Sequence, residues 1–258
     1  MLQTLNLIEK LLENSEVASL TELENMELMS RYDTKYIISV NQLDSILEKL
    51  LVKYKVLEIN NQKLFTYNNH YFDTDDNLFY TQHHNGKASR YKIRFRKYLD
   101  SDLCFFEIKH KSNNLLTSKR RLKVESSTDN IFGEAGNLLT KTLGLHPEDL
   151  SGKLDVEYNR ITLLNTGISE KITIDLNIRF TSNLNEASLG DIVLIEVKQK
   201  QPDNKSYSKE ILKSMNIHPI SGFSKYCMGM VYTESVIKYN KFKRKLLLIN
   251  KIKKAQDG

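Results

Sequence analysis

Between Arg90 and Val124 the chain alternates with a period of two, and one side of that alternation is almost wholly cationic. Arg90, Lys92, Arg94 and Arg96 share one face of a strand, while Tyr91, Ile93 and Phe95 share the other. The next stretch sets Glu107, Lys109 and Lys111 against Phe106 and Ile108. A third sets Lys119, Arg121 and Lys123 against Leu122 and Val124. Like charges directly opposite one another across a sheet are destabilising. One basic strand is an ordinary wet face; three in succession call for an anion lying against them.

Net charge makes such a partner plausible on other grounds. The formal charge is +6, which suits nucleic acid, nucleotide, polyphosphate or an acidic membrane surface without choosing among them. A 258-residue chain with 40% hydrophobic residues has material for one large domain or two small ones. Cys104 and Cys227 lack metal or redox spacing, no signal peptide is read, and no run reaches the roughly 18 to 20 apolar residues that span a bilayer. The expectation is a cytoplasmic protein, at most peripheral at the inner face of the membrane.

Around the central stretch, other segments take recognisable periods. Helices are expected at 1–14, 40–53, 129–143 and 226–239, with shorter ones after Asp75 and near 206–216. Strands are expected at 31–39, 63–74, 153–164, 170–180 and 191–200. In EKITIDLNIRF, Lys171, Thr173, Asp175, Asn177 and Arg179 read as one polar face against Ile172, Ile174, Leu176 and Ile178. The adjacent His83 and His84 read as surface residues. The tail at 238–254 is strongly basic with an apolar middle; it reads as a solvated helix end or a dock for anionic lipid, a membrane-protein partner or emerging product.

About eight mostly consecutive strands with short connections favour antiparallel pairing. If their apolar faces formed the interior, the amphipathic helices would have nothing to cover. The reverse arrangement is expected: an α+β fold with a closed antiparallel barrel, a charged lumen, and helices over the outer apolar faces. At an effective dielectric of about 20, two unit charges 4 Å apart repel by about 4 kcal/mol, so an empty cationic lumen is costly and a linear oligophosphate relieves it. Asp33, Glu107, Asp175 and Glu196 either pair with neighbouring cations or hold a divalent metal.

RYDTKY (31–36), KIRFRKY (92–98), FEIKHK (106–111), SKRRL (118–122), EYNR (157–160), ITID (172–175), IEVK (195–198) and FSKY (223–226) occur in the order seen in VTC domains. The chain thus resembles the polyphosphate polymerase domains of the vacuolar transporter chaperone complex and their bacterial relatives, in the triphosphate tunnel metalloenzyme superfamily. The resemblance covers about 25–235, so the expected division is an N-terminal helix and connection at 1–24, a tunnel domain at 25–237 and a basic tail at 238–258.

It implies transfer of the terminal phosphoryl group of a nucleoside triphosphate, ATP in the first instance, to inorganic polyphosphate with Mn²⁺ or Mg²⁺. Lys35, Arg94, Arg96, Lys109, Arg160 and Lys225 would be catalytic and would bind phosphate together with Lys119, Arg121, Tyr158, Lys171, Lys198 and Ser224. Glu196 would be the metal-binding carboxylate. Lys171 stands where the family often has arginine, and so lacks the planar fork. Two rival readings remain open: a triphosphatase acting on tripolyphosphate, nucleotide or an RNA 5′ end, and a non-catalytic module binding polyphosphate or nucleic acid. Nucleic acid is disfavoured because a narrow lumen excludes stacked bases.

Overall fold

A computed structural model of the chain describes residues 2–26, 32–112, 117–203, 205–234 and 238–255. Arg31, which opens the RYDTKY motif, lies outside them. Helices are α1 (Leu2–Glu13), α2 (Leu20–Asn25), α3 (Leu43–Leu51), α4 (Leu78–His84), α5 (Gly133–Leu143), α6 (Tyr207–Ser214), α7 (Lys225–Thr233) and α8 (Lys243–Lys254). The long strands are β2 (Tyr32–Ser39), β4 (Leu64–Asp73), β5 (Arg90–Tyr98), β6 (Leu103–Lys111), β7 (Thr117–Val124), β8 (Ser151–Asn165), β9 (Glu170–Thr181) and β11 (Ile192–Gln199). Short β1 (Val17–Ala18), β3 (Lys55–Leu57) and β10 (Glu186–Ser188) complete them.

All the strands join one sheet, ordered β2-β11-β9-β8-β4-β5-β6-β7, with the three short strands on its flanks. Pairing is antiparallel except between β1 and β3. Among the described residues no ladder links β2 to β7, so hydrogen bonds do not close the sheet into the expected barrel. The α+β class and the antiparallel pairing stand; closure is not seen.

Alternation decides which face is greasy. Tyr36, Ile38, Ile161, Leu163, Ile172, Ile174, Val193, Ile195 and Val197 point away from the charged side and pack under α1, α3 and α6 through Ile8, Leu12, Leu43, Ile46, Leu47, Leu50, Ile211 and Leu212. Ile93, Phe95, Phe106 and Ile108 do the same beneath α5 through Ala135 and Leu139. Each such aliphatic side chain, fully buried, contributes roughly 1.5–3 kcal/mol.

The fourth expected helix behaves differently. Ile37 and Leu194 lie opposite one another and share strand parity with Lys35 and Glu196, so they belong to the charged face. Both enter a second cluster with Leu154, Val156, Phe180, Phe223, Tyr226, Met228 and Met230. α7 thus covers the far end of the cationic side rather than an outer face, and it ends at Thr233 rather than near 239.

A bulge in β9 makes this possible. Arg160 pairs with Asp175 and Val156 with Phe180, with a register shift between. The extra residue falls at Asn177, whose φ is +54°, and it flips the alternation. Ile178 therefore leaves the aliphatic face expected for it and joins the cluster under α7.

Two smaller expectations also change. His84 is buried, at 6% exposure, against Tyr80 and Phe242. The basic tail folds as α8, with Ile249 fully buried and Leu246, Leu248 and Ile252 packed inward. No helix of the described residues is long and apolar enough to cross a membrane.

Candidate active site

Register stacks cations across three strands. Lys92, Lys109 and Lys119 lie in one row over β5, β6 and β7, and Arg94, Glu107 and Arg121 in the next. Glu107, 1% exposed, is the counter-ion for both rows. Arg94 donates Nε and Nη2 to its Oε2 at 2.9 and 2.6 Å, and Lys119 Nζ lies 2.5 Å from Oε1. Arg96 and Arg121 stand at 3.8 and 3.9 Å. Burial alone would raise this carboxyl; Arg96, Arg94 and Lys119 outweigh it and hold it well below the usual carboxylate range. Burial pushes the Lys119 ammonium down to about 8, against the pull of Glu107. Lys92 is likewise pushed down to about 8, mainly by burial.

β4 supplies neutral supports. Asn69, fully buried, accepts Arg96 Nε–H at 2.9 Å, and Tyr71 Oη accepts from Arg94 Nη1 at 2.8 Å. These locked guanidiniums have little rotamer freedom left to lose on binding.

Opposite them, Arg160 grips Asp175 with a planar fork, Nε to Oδ1 at 2.5 Å and Nη2 to Oδ2 at 2.8 Å. Lys225, the first residue of α7, also donates to Asp175 Oδ2 and stands 4.2 Å over the Tyr158 ring. Ser224 caps α7, its hydroxyl accepting the Cys227 N–H at 3.3 Å. Tyr158 is 2% exposed, and its hydroxyl receives Arg96 Nη2 at 3.4 Å. Burial would raise this phenol; Arg160, Arg96 and Lys225 together bring it down to about 8.

A third carboxylate, Glu196, faces Lys35 across β11 and β2. Lys35 holds one of its oxygens and Lys198 the other, while Lys198 Nζ also donates to Thr173 Oγ1 at 2.9 Å. Lys35 lies within electrostatic reach of Lys198, Lys225 and Lys109, and Lys92 within reach of Lys225. The two ends of the sheet therefore bring their cations towards one another although no ladder joins them.

The structure gathers Lys35, Arg94, Arg96, Lys119, Arg121, Tyr158, Arg160, Lys198 and Lys225 around these three carboxylates. Lys109 sits in the lysine row. Lys171 lies opposite Lys198, towards the strand ends. Ser224 acts as a cap. The reading of Glu107, Asp175 and Glu196 as ion-pair partners agrees with their contacts. Asn69, Tyr71 and Tyr67, whose ring lies 5.5 Å from the Arg96 guanidinium and 5.1 Å from that of Arg160, were not foreseen as site residues; the alternation in KLFTYNNHYFDT was the available signal.

The resemblance to VTC domains implies a divalent cation. Among the described residues no group of three or more His, Cys, Asp or Glu side chains forms a cage. Glu107 and Asp175 are held by arginine forks, whereas among the described residues Glu196 is held by two lysines, point charges on flexible stems. Glu196 fits as a single carboxylate anchor for an ion whose remaining positions are filled by substrate oxygens, a common arrangement for Mg²⁺.

A sheet face that gathers arginines and lysines around three carboxylates suits a polyanion. The family profile described as the VTC domain matches residues 30–233, and the chain belongs to that family. No curated protein matches it. Among solved structures it is similar to a candidate adenylate cyclase of Bacillus halodurans, at 16% identity and TM-score 0.51, covering 76% of this chain and 97% of that one. It is also similar to HpAC1 of Hippeastrum, a candidate adenylyl cyclase described as having a dominant triphosphatase activity. That match has 14% identity and TM-score 0.50, and covers 81% of this chain and 98% of the other. At these identities the likeness is one of fold.

Proposed function

We propose that this chain is a polyphosphate polymerase, moving the terminal phosphoryl group of a nucleoside triphosphate, with ATP as donor, onto a growing inorganic polyphosphate. What supports it most is the convergence of Arg94, Arg96, Arg160, Lys35, Lys119, Lys198 and Lys225 on one face of the sheet, around three carboxylates that only partly offset them. A loose phosphoryl-transfer transition state needs positioning and charge stabilisation more than covalent help from the protein. The guanidiniums of Arg94, Arg96 and Arg160 orient phosphates as planar forks, and the lysines follow the chain as point charges. The acceptor is already an ionised phosphate end, so no general base is required. Mn²⁺ or Mg²⁺, held by Glu196 and phosphate oxygens, would supply charge withdrawal from the leaving diphosphate.

Incubation of the protein with ATP and Mn²⁺ or Mg²⁺, with and without a short polyphosphate primer, tests this directly. Long-chain polyphosphate on a gel is expected. Its absence under every nucleotide and metal would overturn synthesis.

A second reading, hydrolysis of tripolyphosphate or nucleoside triphosphate, is favoured by the triphosphatase activity described for HpAC1 on the shared fold. Free phosphate accumulating without chain growth would establish it.

A further inference from the structure

At the opposite end of the charged face from α7, beside the β5–β6 hairpin, lies an aromatic cluster that phosphate binding does not explain. Arg121 sits over the Phe105 ring, its guanidinium carbon 3.3 Å from the centroid, and its Nη2 reaches the Tyr98 hydroxyl at 3.5 Å. Tyr98 packs edge-on to Phe105 at 5.8 Å and 4.8 Å from Tyr67. Tyr67 in turn stacks on Tyr158, 5.4 Å away and 2° from parallel.

Position gives the cluster its meaning. Arg121 remains 41% exposed, and Phe105 and Tyr98 are half-buried, whereas Tyr158 is enclosed. Arg121, held against one ring, is the most exposed member of the cluster. A guanidinium plane and neighbouring π-faces are what a nucleobase stacks upon, tolerantly of base identity. Along a strand, residues on the same face lie about 6.6–6.8 Å apart. That places Phe105 one such step from Glu107 and its ring of arginines, room for a ribose between base and first phosphate.

We propose that Phe105, Tyr98 and Arg121 form a stacking site for the base of a nucleoside triphosphate, so that the donor enters phosphates first and is told apart from a bare polyphosphate. This rests on the phosphate-binding reading of the charged face and adds the nucleoside to it.

The test is calorimetric and needs no turnover. Binding of ATP, ribose 5-triphosphate and tripolyphosphate is measured in EDTA for the wild type, Phe105→Leu and Phe105→Tyr. The wild type is expected to prefer ATP to ribose 5-triphosphate on the order of tenfold, the scale of one base stack. Phe105→Leu should erase that preference while keeping tripolyphosphate affinity within about twofold, and Phe105→Tyr should retain it. Equal wild-type affinity for ATP and ribose 5-triphosphate overturns the stacking site alone. So does an equal loss for all three ligands in a Phe105→Leu protein that melts as the wild type does. No binding of tripolyphosphate to the wild type overturns the phosphate-binding reading, and the stacking site with it.

Discussion

Lys225, at the first position of α7, donates its ammonium to Asp175 Oδ2 in the middle of β9, sharing that carboxylate with Arg160. The contact ties the helix that closes one end of the charged face to the strand that lines it. Asp175 is 2% exposed, so Arg160 and Lys225 depend on it as their main internal counter-ion.

Asp175→Asn is therefore expected to destabilise the ligand-free protein by about 3–5 kcal/mol, the usual penalty for leaving buried partners unpaired. A polyanion should replace what was removed. Tripolyphosphate should recover more stability in the variant than it adds to the wild type, read from urea melts with and without ligand.

Glu196 gives an opposite pair of outcomes. Removing its charge in Glu196→Gln releases Lys35 and Lys198, so metal-free tripolyphosphate should bind several-fold more tightly, a gain of about 1 kcal/mol. Metal-dependent turnover should fall by roughly 10²-fold. Tighter binding with full activity would remove Glu196 from the metal's anchorage; weaker binding would mean that the carboxylate holds the lysines in place.

Tyr158 provides a spectroscopic pH signature. Its phenol is held down to about 8, so cations stabilise the phenolate in the folded state. The stability gained from this shift is fully present above the ordinary phenol value near 10 and disappears as pH falls through about 8. An absorbance step at 295 nm is expected near that pH, missing in Tyr158→Phe. Bound tripolyphosphate should move the step upward, because a second anion disfavours the phenolate. Lys92 and Lys119, both near 8, lose charge over the same range, so polyphosphate affinity should fall as pH rises past it.

Gly229 sets how close α7 lies to the sheet. A Cβ there would come within 2.4 Å of Leu154 Cδ2 and 2.8 Å of Phe180 Cδ1. Gly229→Ala should cost about 1–3 kcal/mol by overpacking. It should also weaken tripolyphosphate binding, because Lys225 lies one helical turn earlier on the same helix. Loss of stability with unchanged affinity would show that Lys225 is placed by Asp175 alone.

The strand set and its charged side were readable because cationic alternation survives in Arg90–Arg96 and Lys119–Lys123 without interruption. The family followed from ordered short motifs, since each places a charge at a fixed strand parity. Two things escaped. The bulge at Asn177 shifts the alternation by one residue, and nothing in NIRF distinguishes a flipped strand end from a continuous one. The inward seat of α7 depends on Ile37 and Leu194, apolar residues at positions where parity alone predicts more charge. Closure of the sheet was inferred from the cost of exposed edges, and among the described residues no hydrogen bonding between β2 and β7 supplies it.

Glu107, Asp175 and Glu196 are tethered ions that never leave. If these cations bind phosphate as proposed, every phosphate settling on Arg94, Arg160 or Lys35 would compete with a carboxylate already in place, which would reclaim its partner once the phosphate moved on. Such competition caps the hold on any single unit while keeping many weak holds in reach. A chain gripped in this way can advance one link at a time without the whole of it letting go.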